Sequence, residues 1–493
     1  MRVLLIDPPF YRFIDFYNRY FPFGLVSIAT VLRNAGHEAI VYDADYNDKP
    51  SHIDYTRLTE HYPQYIERLH RPDDPILTEA RRTMASMDPE LIGISIWTTY
   101  AASAFRIAQI ARELFPDRPI VMGGPHASAK PDEVLRLSPA VDYVVRGEGE
   151  QTMLDLVEQI ESASGDPTSV HGVSFRKNGQ IRHAPPREKC RSLDEFPFPD
   201  RGLLMNCRKY SSEDMGLIMS SRGCPYACSY CATEIGRTSY RSVEHILEEL
   251  RTVRRRYGTV QFSFKDDSFA VDRRRTEELC DRMITEEMNL GWECTTRANL
   301  VTEPLLMKMK SAGCNSIKIG IESGSERILG EMNKGLTLDR IREAARLFRK
   351  VGIYWTGFFM MGVPGETVEE IRQTLVFMQE LKPDHAHIGT YEPFPGTAMF
   401  ADGVRRGLMK TDMTLDDFFE MLPNDYYKAD IRRQVDTIDP DVFEQLEVSM
   451  KSEFHAYNKS MARLLKRAKS RVALYVTQPA ALVADFQKYL SWR

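Results

Sequence analysis

The chain has 493 residues, of which 43% are hydrophobic and 27% are charged, and its formal net charge is −5. This composition is ordinary for a globular protein, and the length predicts about two to four domains. The net charge gives no global electrostatic reason to expect a nucleic acid or an anionic membrane as a partner. The N-terminus lacks a signal-peptide pattern and no apolar stretch is long enough to span a bilayer, so we expect a cytoplasmic protein.

Short β-branched runs alternate with amphipathic stretches over residues 1–165, which predicts parallel strands joined by crossover helices. The predicted strands are Val3 to Ile6, Ala39 to Tyr42, Leu91 to Ile96, Ile120 to Met122 and Tyr143 to Val145, and the predicted helices are Leu25 to Asn34, Ala102 to Leu114 and Thr152 to Ile160. This order is typical of a flavodoxin-like doubly wound sheet, whose ligand lies beyond the carboxyl ends of the strands. The polar segment 47–87 interrupts the alternation, and we expect it to be a helical insertion.

A hairpin and a linker are predicted next. Asn178-Gly179 separates two strand-like runs at residues 173–181, which is a hairpin signal. A proline-rich stretch from Pro185 to Pro199 follows. We therefore interpret residues 166–210 as a hairpin followed by an interdomain linker.

The alternation of strands and helices then repeats six times, with strands expected near 217–220, 260–264, 292–296, 315–320, 353–360 and 385–391. Six such units predict a partial (βα)6 barrel over residues 211–400, whose chemistry lies at the carboxyl ends of the strands. Residues 401–493 are predicted to form a mostly helical C-terminal region, helical from about Asp441 to Arg467. The predicted fold class is therefore α/β.

Three cysteines follow the first barrel strand in the segment Cys224-Pro-Tyr-Ala-Cys228-Ser-Tyr-Cys231. They offer three thiolates on one loop to one metal centre. A structural zinc site needs four ligands, and the nearby His245 falls inside a predicted helix. A zinc site completed by a distant ligand is the alternative to an iron–sulfur cluster that has one iron left open. The scattered cysteines are expected to be free thiols: Cys190, Cys207, Cys280, Cys294 and Cys314.

Residues 215–395 resemble the radical S-adenosylmethionine (SAM) enzymes, in which three cysteines at this spacing hold a 4Fe-4S cluster. The resemblance implies that Cys224, Cys228 and Cys231 are the metal ligands and that the open iron chelates SAM. An electron from the cluster would cleave SAM, and the resulting 5′-deoxyadenosyl radical would abstract hydrogen from a small-molecule substrate. An external electron donor such as flavodoxin or ferredoxin is implied as a partner.

The resemblance also implies a SAM site on the loops that follow the barrel strands. Arg297 is expected to pair with the methionyl carboxylate, since a guanidinium suits a carboxylate, and a surface ion pair is the alternative. The implied SAM-binding residues are Tyr230, Asp266, Asp267, Arg297, Glu322, Ser323 and Gly365. The run at residues 320–325 also fits a plain strand-to-helix turn with a capping serine. Tyr391 and Glu392 are candidate catalytic residues that face the substrate, with an ordinary Pro-Gly turn as the alternative.

The N-terminal domain resembles the cobalamin-binding domains that are fused to one branch of this family. The similar segments are Asp7-Pro8-Pro9, Gly123-Gly124-Pro125-His126 and Arg146-Gly147-Glu148-Gly149-Glu150. The resemblance implies a corrin between the two domains, with Trp97, Thr98, Gly123, Gly124, His126 and Glu148 as its neighbours. No Asp-x-His-x-x-Gly motif supplies a histidine ligand to cobalt, as is normal in that branch. A scaffold without the cofactor is the alternative.

The resemblance implies cobalamin-dependent methylation of an unactivated carbon, in natural-product or cofactor biosynthesis. A non-methylating radical reaction is the alternative: dehydration or deoxygenation of an aminosugar diol, epimerisation, or ring formation. That reaction needs an acid, a base or a hydrogen donor, for which Tyr391, Glu392, Cys294 and Cys314 are candidates by predicted position. A third possibility is an iron–sulfur electron carrier or sensor, which would not need the SAM-region turns.

Overall fold

The computed structural model describes residues 1–16, 20–47, 55–162, 167–233 and 236–477, together with residues 479, 482, 483 and 486. Within these residues, no helix combines the length and the apolar character needed to cross a membrane. Two sheets, one mostly parallel and one wholly parallel, account together with the helices packed against them for most of the described chain.

The N-terminal sheet has the strand order β2-β1-β3-β4-β5-β6-β7. Its strands are β1 Arg2–Asp7, β2 Glu38–Asp43, β3 Leu91–Ser95, β4 Ile120–Gly123, β5 Tyr143–Val145, β6 Val173–Lys177 and β7 Gln180–His183. The first five strands are parallel, which confirms the predicted flavodoxin-like sheet. The predicted hairpin, β6 and β7, pairs antiparallel with β5 and so extends this sheet at one edge.

Helices cover both faces of the N-terminal sheet: α1 Phe23–Asn34, α2 Tyr62–Leu69, α3 Pro75–Met87, α4 Ala101–Leu114, α5 Pro125–Ala129, α6 Pro131–Leu137 and α7 Gly149–Ser162. Successive apolar side chains of β1 point to opposite faces of the sheet, so both faces must be covered. Val3 and Leu5 pack into one apolar cluster with α1 and α7, and Leu4 and Ile6 pack into a second cluster with α3 and α4. The expected insertion is helical over residues 55–87, and residues 48–54 lie outside the described residues.

The second sheet is the predicted partial barrel, with the parallel order β15-β14-β13-β12-β11-β8. The strands of this region are β8 Leu217–Ile218, β9 Ser221–Arg222, β10 Ser239–Tyr240, β11 Gln261–Phe264, β12 Gly291–Thr296, β13 Cys314–Glu322, β14 Tyr354–Met361 and β15 His385–Thr390. Strands β9 and β10 form a short antiparallel pair that brackets the cysteine segment.

The barrel helices are α8 Val243–Tyr257, α9 Arg273–Thr285, α10 Glu303–Ser311, α11 Glu326–Glu331, α12 Leu338–Val351 and α13 Val368–Leu381. Helix α8 illustrates how the sequence sets their bounds. The Ser242 side chain accepts a hydrogen bond from His245 N at the start, and Gly258 ends the helix in the left-handed conformation, with a φ of 69°. Its buried face repeats at helical spacing through Ile246, Leu250 and Val253.

The linker is held firmly against the barrel by Arg201, which is only 2% exposed. Its guanidinium donates hydrogen bonds to Met215 O at 2.8 Å and to Leu217 O at 2.7 Å. It also pairs with buried Glu249 at 2.8 Å. The buried charge is therefore matched by a carboxylate and by backbone acceptors at the first barrel strand, as a buried ion requires.

The C-terminal region consists of α14 Ala398–Arg405, α15 Leu415–Glu420, α16 Pro440–Asn458, α17 Met461–Ser470 and α18 Val472–Thr477. The stretch predicted to be helical from about Asp441 to Arg467 is helical in the structure, with one break between α16 and α17 at an extended Ser460. Asn458 explains where α16 ends. Its side-chain amide is buried and forms hydrogen bonds of 2.9 and 2.7 Å with the backbone N–H and carbonyl of Ala386 in the edge strand β15.

Candidate active site

A cavity of about 2080 Å³ lies where the carboxyl ends of the two sheets face each other. The N-terminal domain, the barrel and the C-terminal region all contribute to its lining. Among the lining residues are Trp97, Thr98, Gly123, Gly124, Glu148, Cys228, Tyr230, Cys231, Asp267, Tyr391, Glu392, Lys428 and Lys451. Because pockets for one small molecule usually measure about 300–1,000 Å³, this cavity has room for more than one ligand.

The cysteine loop forms part of the barrel side of this cavity. Cys228 and Cys231 line the cavity, and Cys224 is half-buried beside them. The backbone between them is fixed from two directions. Ser229 N donates to Met332 O at 2.9 Å, and Met399 N donates to Ser229 O at 2.7 Å. The loop is thus held in place by the turn after α11 and by the start of α14.

The three thiols do not converge on one point. Among the described residues, no three Cys, His, Asp or Glu side chains come together as the ligands of a single metal ion would. The thiolates of an iron–sulfur cubane bind different iron atoms, so they are spread around the cluster instead. Cys224, Cys228 and Cys231 are all free thiols.

Arg297 lies directly behind the cysteine loop, at the end of β12, and is buried. Its Nη1 is 3.3 Å from Cys228 Sγ, and its guanidinium carbon is 3.8 Å from the centre of the Tyr226 ring. Its Nη2 donates to Lys334 O. The alternative of a surface ion pair is wrong, since Arg297 is buried and no described carboxylate forms a salt bridge with it.

Tyr230, Glu322 and Lys334 form a compact polar cluster next to the cysteine loop. The Tyr230 hydroxyl donates to Glu322 Oε1 at 2.9 Å, and Lys334 Nζ is 2.7 Å from the same oxygen and 2.9 Å from the Tyr230 hydroxyl. Glu322 adopts a left-handed backbone with a φ of 72°, which a non-glycine residue rarely does. Sequence reasoning missed Lys334, because it stands in a turn that matches no motif.

Asp266 and Asp267 have different environments although they are neighbours. Buried Asp266 accepts hydrogen bonds from Ser220 N at 2.6 Å and from Ser221 Oγ at 2.8 Å. Its carboxylate therefore stabilises the connection between β8 and β9. Asp267 lines the cavity and accepts from Gly223 N at 2.9 Å. Although Asp267 is exposed to the cavity, partial loss of its hydration there raises its pKa above the usual value.

Ser323 and Gly365, two further predicted SAM-binding residues, do not line the cavity. Ser323 Oγ lies 3.3 Å from Thr374 Oγ1, and Gly365 N donates to Asp436 Oδ1 at 2.8 Å. Both residues shape the loops after β13 and β14 through contacts with neighbouring segments. The structure thus brings Tyr230 and Glu322 together, but of these four residues only Tyr230 lines the cavity.

The N-terminal wall of the cavity is a glycine-rich surface beside an exposed tryptophan. Trp97 is 51% exposed and lies next to Thr98 at the end of β3. Gly124 has a φ of 121°, and a Cβ atom there would lie 2.7 Å from Ile96 O, so a larger residue would displace the loop. The glycines of this wall leave open surface beside the exposed Trp97 ring, and such a surface suits a large flat ligand such as the predicted corrin.

His126 does not line this wall. It is buried, its Nδ1 lies 3.1 Å from Thr98 Oγ1, and its ring meets Phe418 edge-on at 5.7 Å. The expectation that His126 neighbours a corrin is therefore not supported, because Pro125 begins a short helix that turns the imidazole towards the C-terminal region. Among the described lining residues the one histidine is His387, which comes from the barrel.

An ion pair crosses from the N-terminal domain to the cysteine segment. Glu150 is 3% exposed and accepts two hydrogen bonds from Arg222, one of them at 3.1 Å. Arg222 stands two residues before Cys224. Glu148, which lines the cavity, accepts from Cys190 N at 2.9 Å. The segment after β5 is thereby connected to the linker, through Cys190, and to the strand that precedes the cysteine loop, through Arg222.

Tyr391 and Glu392 follow β15 and line the cavity. Tyr391 is buried, and its hydroxyl has no hydrogen-bond partner in the part of the chain that the structure describes. Burial raises the pKa of Glu392 to about 7, against the attraction of Lys428 and Lys451. Those two lysines already pair with acidic residues, Lys428 with Asp425 at 2.9 Å and Lys451 with Glu447 at 2.7 Å.

Cys294 and Cys314 lie in the barrel core. They are 1% and 2% exposed, and neither lines the cavity. The expectation that they donate hydrogen to a substrate is therefore wrong. Alternation along β12 places Cys294 on the face that packs against the outer helices.

The turn after β14 contains a buried carboxyl group, that of Glu366. Its Oε2 accepts from Gly362 N at 2.6 Å, whereas Oε1 is buried without a partner within the described residues. Burial raises the pKa of Glu366 to about 8, from an ordinary value of 4.5. The folded protein thus keeps this proton over a pH range in which the unfolded chain has lost it.

Replacing Glu366 with glutamine will reduce the dependence of the free energy of unfolding on pH. Because the pKa of Glu366 is raised on folding, its contribution is most favourable at low pH and is lost as pH rises from about 4.5 to about 8. Between pH 5.5 and pH 8 we expect the wild type to lose on the order of 3 kcal/mol through this group. Thermal unfolding at both pH values should give a smaller decrease for Glu366→Gln; an equal decrease would contradict the assignment.

Two family models match the chain: that of the radical SAM superfamily over residues 218–378 and that of the B12 binding domain over residues 12–157. An uncharacterized methyltransferase of Pyrococcus horikoshii is 33% identical over 356 residues, which cover 71% of this chain and 77% of that protein. The anaerobic magnesium-protoporphyrin IX monomethyl ester cyclase of Rubrivivax gelatinosus is 28% identical over 335 residues, which cover 66% of this chain and 60% of the cyclase.

A solved structure shares the arrangement of domains. The radical SAM methyltransferase TsrM from Kitasatospora setae, with cobalamin and a 4Fe-4S cluster bound, has a TM-score of 0.65 at 19% identity, covering 83% of this chain and 76% of that chain. At 19% identity this likeness establishes the fold alone. The sequence matches cover both the thiol loop and the glycine-rich wall opposite it. The chain therefore belongs to the radical SAM superfamily and carries a B12-binding domain.

Proposed function

We propose that this chain is a cobalamin-dependent radical SAM methyltransferase that methylates an unactivated carbon of a small molecule. The observation that carries the proposal is the single cavity, to which the thiol loop and the N-terminal glycine-rich wall both contribute. The first relative named above is a methyltransferase, and TsrM holds cobalamin and a cluster in its solved structure. Three cofactors follow from this family: a 4Fe-4S cluster, SAM and cobalamin.

When bound, the cluster supplies the electron that cleaves SAM to a radical, and cobalamin supplies the methyl group. The protein holds and orients these groups. Cys224, Cys228 and Cys231 would hold the cluster. Trp97 and the glycine-rich wall would lie against the corrin, with Thr98, Gly123, Gly124 and Glu148 nearby.

The cluster of Tyr230, Glu322 and Lys334 would bind SAM. Tyr230 lines the cavity, and Glu322 behind it would accept from ribose hydroxyls while Lys334 fixes its carboxylate through a 2.7 Å ion pair. Because the Glu322 carboxylate is already held by the Lys334 ammonium, it loses little conformational entropy when a ligand binds. Lys334 therefore preorganises the site.

Replacing Gly320 with alanine tests this role. A Cβ atom there would lie 2.4 Å from Glu322 Oε1 and 3.0 Å from Lys334 Nζ, so both charged groups must move. Because these are the ends of flexible side chains, we expect little loss of stability but about tenfold weaker SAM binding, the equivalent of one charge-assisted hydrogen bond. Equilibrium binding to the reconstituted protein measures this change. Gly330→Ala, at a site with open space around it, is the matched control, and equal affinities in the two variants would contradict the role.

Glu392 would contact the substrate. Its side chain has no hydrogen-bond partner among the described residues, and its pKa of about 7 allows it to accept or hold a proton near neutral pH. A hydroxyl or amine next to the reacting carbon could donate to it. Tyr391 and helix α16, which contributes Phe443, Glu447 and Lys451 to the lining, would close this end against water.

We further propose that an external electron donor, such as flavodoxin or ferredoxin, reduces the cluster, and that the enzyme works in the cytoplasm. The alternative reaction is ring formation on a tetrapyrrole. The sequence similarity to the cyclase and the N-terminal wall of the cavity both favour it over the other non-methylating reactions. The cofactor products distinguish the two reactions, because methyl transfer through cobalt converts one SAM to S-adenosylhomocysteine for each SAM cleaved to 5′-deoxyadenosine.

The test is anaerobic incubation of the reconstituted protein with SAM and dithionite, with and without cobalamin, followed by chromatography of the nucleosides. The proposal predicts 5′-deoxyadenosine in both samples and S-adenosylhomocysteine only where cobalamin is present. Formation of 5′-deoxyadenosine alone in both samples would favour the non-methylating reaction.

A further inference from the structure

Arg297 is the one charged side chain among the described residues that has a hydrogen bond to a cysteine of the metal loop. Its Nη1 lies 3.3 Å from Cys228 Sγ, within reach of an N–H···S hydrogen bond. The residue is 7% exposed, so water screens this contact weakly. A buried positive charge thus lies against one of the three thiols that are proposed to hold the cluster.

Two further contacts fix the guanidinium in this position. Its plane lies over the Tyr226 ring, 3.8 Å from the ring centre, and Asn299 Nδ2 donates to the Tyr226 hydroxyl at 3.3 Å. Its Nη2 donates to Lys334 O. Because the ring and the carbonyl hold the planar group from two sides, the direction of the N–H towards Cys228 is set by the protein.

The Nε of Arg297 is buried without a partner in the described part of the chain. An unpaired buried donor costs free energy unless a bound group accepts from it. An iron–sulfur cluster, with its negative charge and its sulfur acceptors, would satisfy this requirement at the same loop. Arg297 therefore has the charge and the donors for an anionic metal cluster.

We propose that Arg297 tunes the reduction potential of the bound cluster through the Cys228 sulfur. One-electron reduction adds negative charge to the cluster, and a positive charge with an N–H donor at a ligand sulfur stabilises the reduced state more than the oxidised state. The potential is thereby raised, and the external donor reduces the cluster more easily. The proposal rests on the proposed function, and it replaces the expectation that Arg297 serves mainly to bind the SAM carboxylate.

The experiment measures the midpoint potential of the cluster by dithionite titration with electron paramagnetic resonance, in protein reconstituted without SAM or cobalamin. In Arg297→Met the ratio of reduced to oxidised cluster at a fixed potential should fall at least tenfold, which equals about 59 mV for one electron. Arg297→Lys keeps the charge but has no planar fork, and its potential should lie between those of Arg297→Met and the wild type.

Arg340→Met is the matched control. Arg340 is a half-buried arginine that donates to Asn299 O at 3.2 Å and to Val301 O at 3.0 Å, in the turn that follows Arg297, and it has no contact with the thiols. Its removal loosens the same turn, and we expect an unchanged potential.

Several results would overturn the inference. One is an Arg297→Met protein that holds a full cluster and has the wild-type midpoint potential. If that protein also binds SAM more weakly, Arg297 serves the SAM carboxylate instead. If Arg297→Met and Arg297→Lys both lack iron, the residue is required for assembly and not for tuning. A wild-type protein that holds no cluster would contradict the proposed function itself, which separates the two failures.

Discussion

Replacing Cys228 with alanine will abolish both cluster assembly and the cleavage of SAM. Cys228 is one of two thiols that line the cavity, and a loop left with two thiolates cannot hold a cubane that leaves only one iron open for SAM. Iron and sulfide content after anaerobic reconstitution, together with the yield of 5′-deoxyadenosine, measures the effect. We expect both to fall to background, and the same result for Cys224→Ala and Cys231→Ala.

Cys207→Ala is the matched control for these variants. Cys207 is also a half-buried free thiol, but it lies in the linker and does not line the cavity. It should keep its cluster and its rate of SAM cleavage. Cleavage that persists in any of the three loop variants would contradict the assignment of the metal ligands.

Removing Arg222 will destabilise the contact between the two domains by about 3–5 kcal/mol, because Arg222→Met leaves Glu150 as an unpaired buried charge. Burial raises the pKa of Glu150, but the attraction of Arg222 outweighs this and holds the pKa below its usual value. Chemical unfolding and the retention of cobalamin on gel filtration measure the loss, since the N-terminal wall of the cavity depends on this contact.

The double variant Glu150→Met, Arg222→Met separates the loss of a contact from the exposure of a buried charge. Replacing both partners of a buried ion pair by apolar residues is often close to neutral. The double variant should therefore be more stable than Arg222→Met alone. If it is less stable, by the sum of two independent losses, the pair does not act as a unit.

The sequence was sufficient to locate the five parallel strands of the N-terminal sheet and the six strands of the partial barrel, but not to predict that the hairpin extends the first sheet at its edge. Strand β3 is buried on both faces from Leu91 to Ile94 and has no charged residue, so the local pattern alone locates it. The cysteine spacing is likewise local, and it identified the metal loop. The break at Ser460 was not predictable, because it depends on the hydrogen bonds of Asn458 with the distant strand β15.

The details of the site depended on tertiary contacts that no local pattern contains. Lys334 meets Glu322 only because the turn after α11 folds back over β13. Of two adjacent aspartates, Asp266 turns towards Ser220 and Asp267 towards the cavity, and a doublet in the sequence does not indicate which residue takes which direction. His126 was expected beside a corrin, but it belongs to a short helix that directs it away from the cavity wall.

The most direct test of the account is anaerobic reconstitution with iron, sulfide and hydroxocobalamin, followed by gel filtration and an absorbance spectrum of the protein peak. The account predicts one cobalamin per chain, together with the broad absorbance of a 4Fe-4S cluster. A cluster without retained cobalamin would contradict the account, since the N-terminal domain would then be a scaffold and the reaction could not be methyl transfer through cobalt.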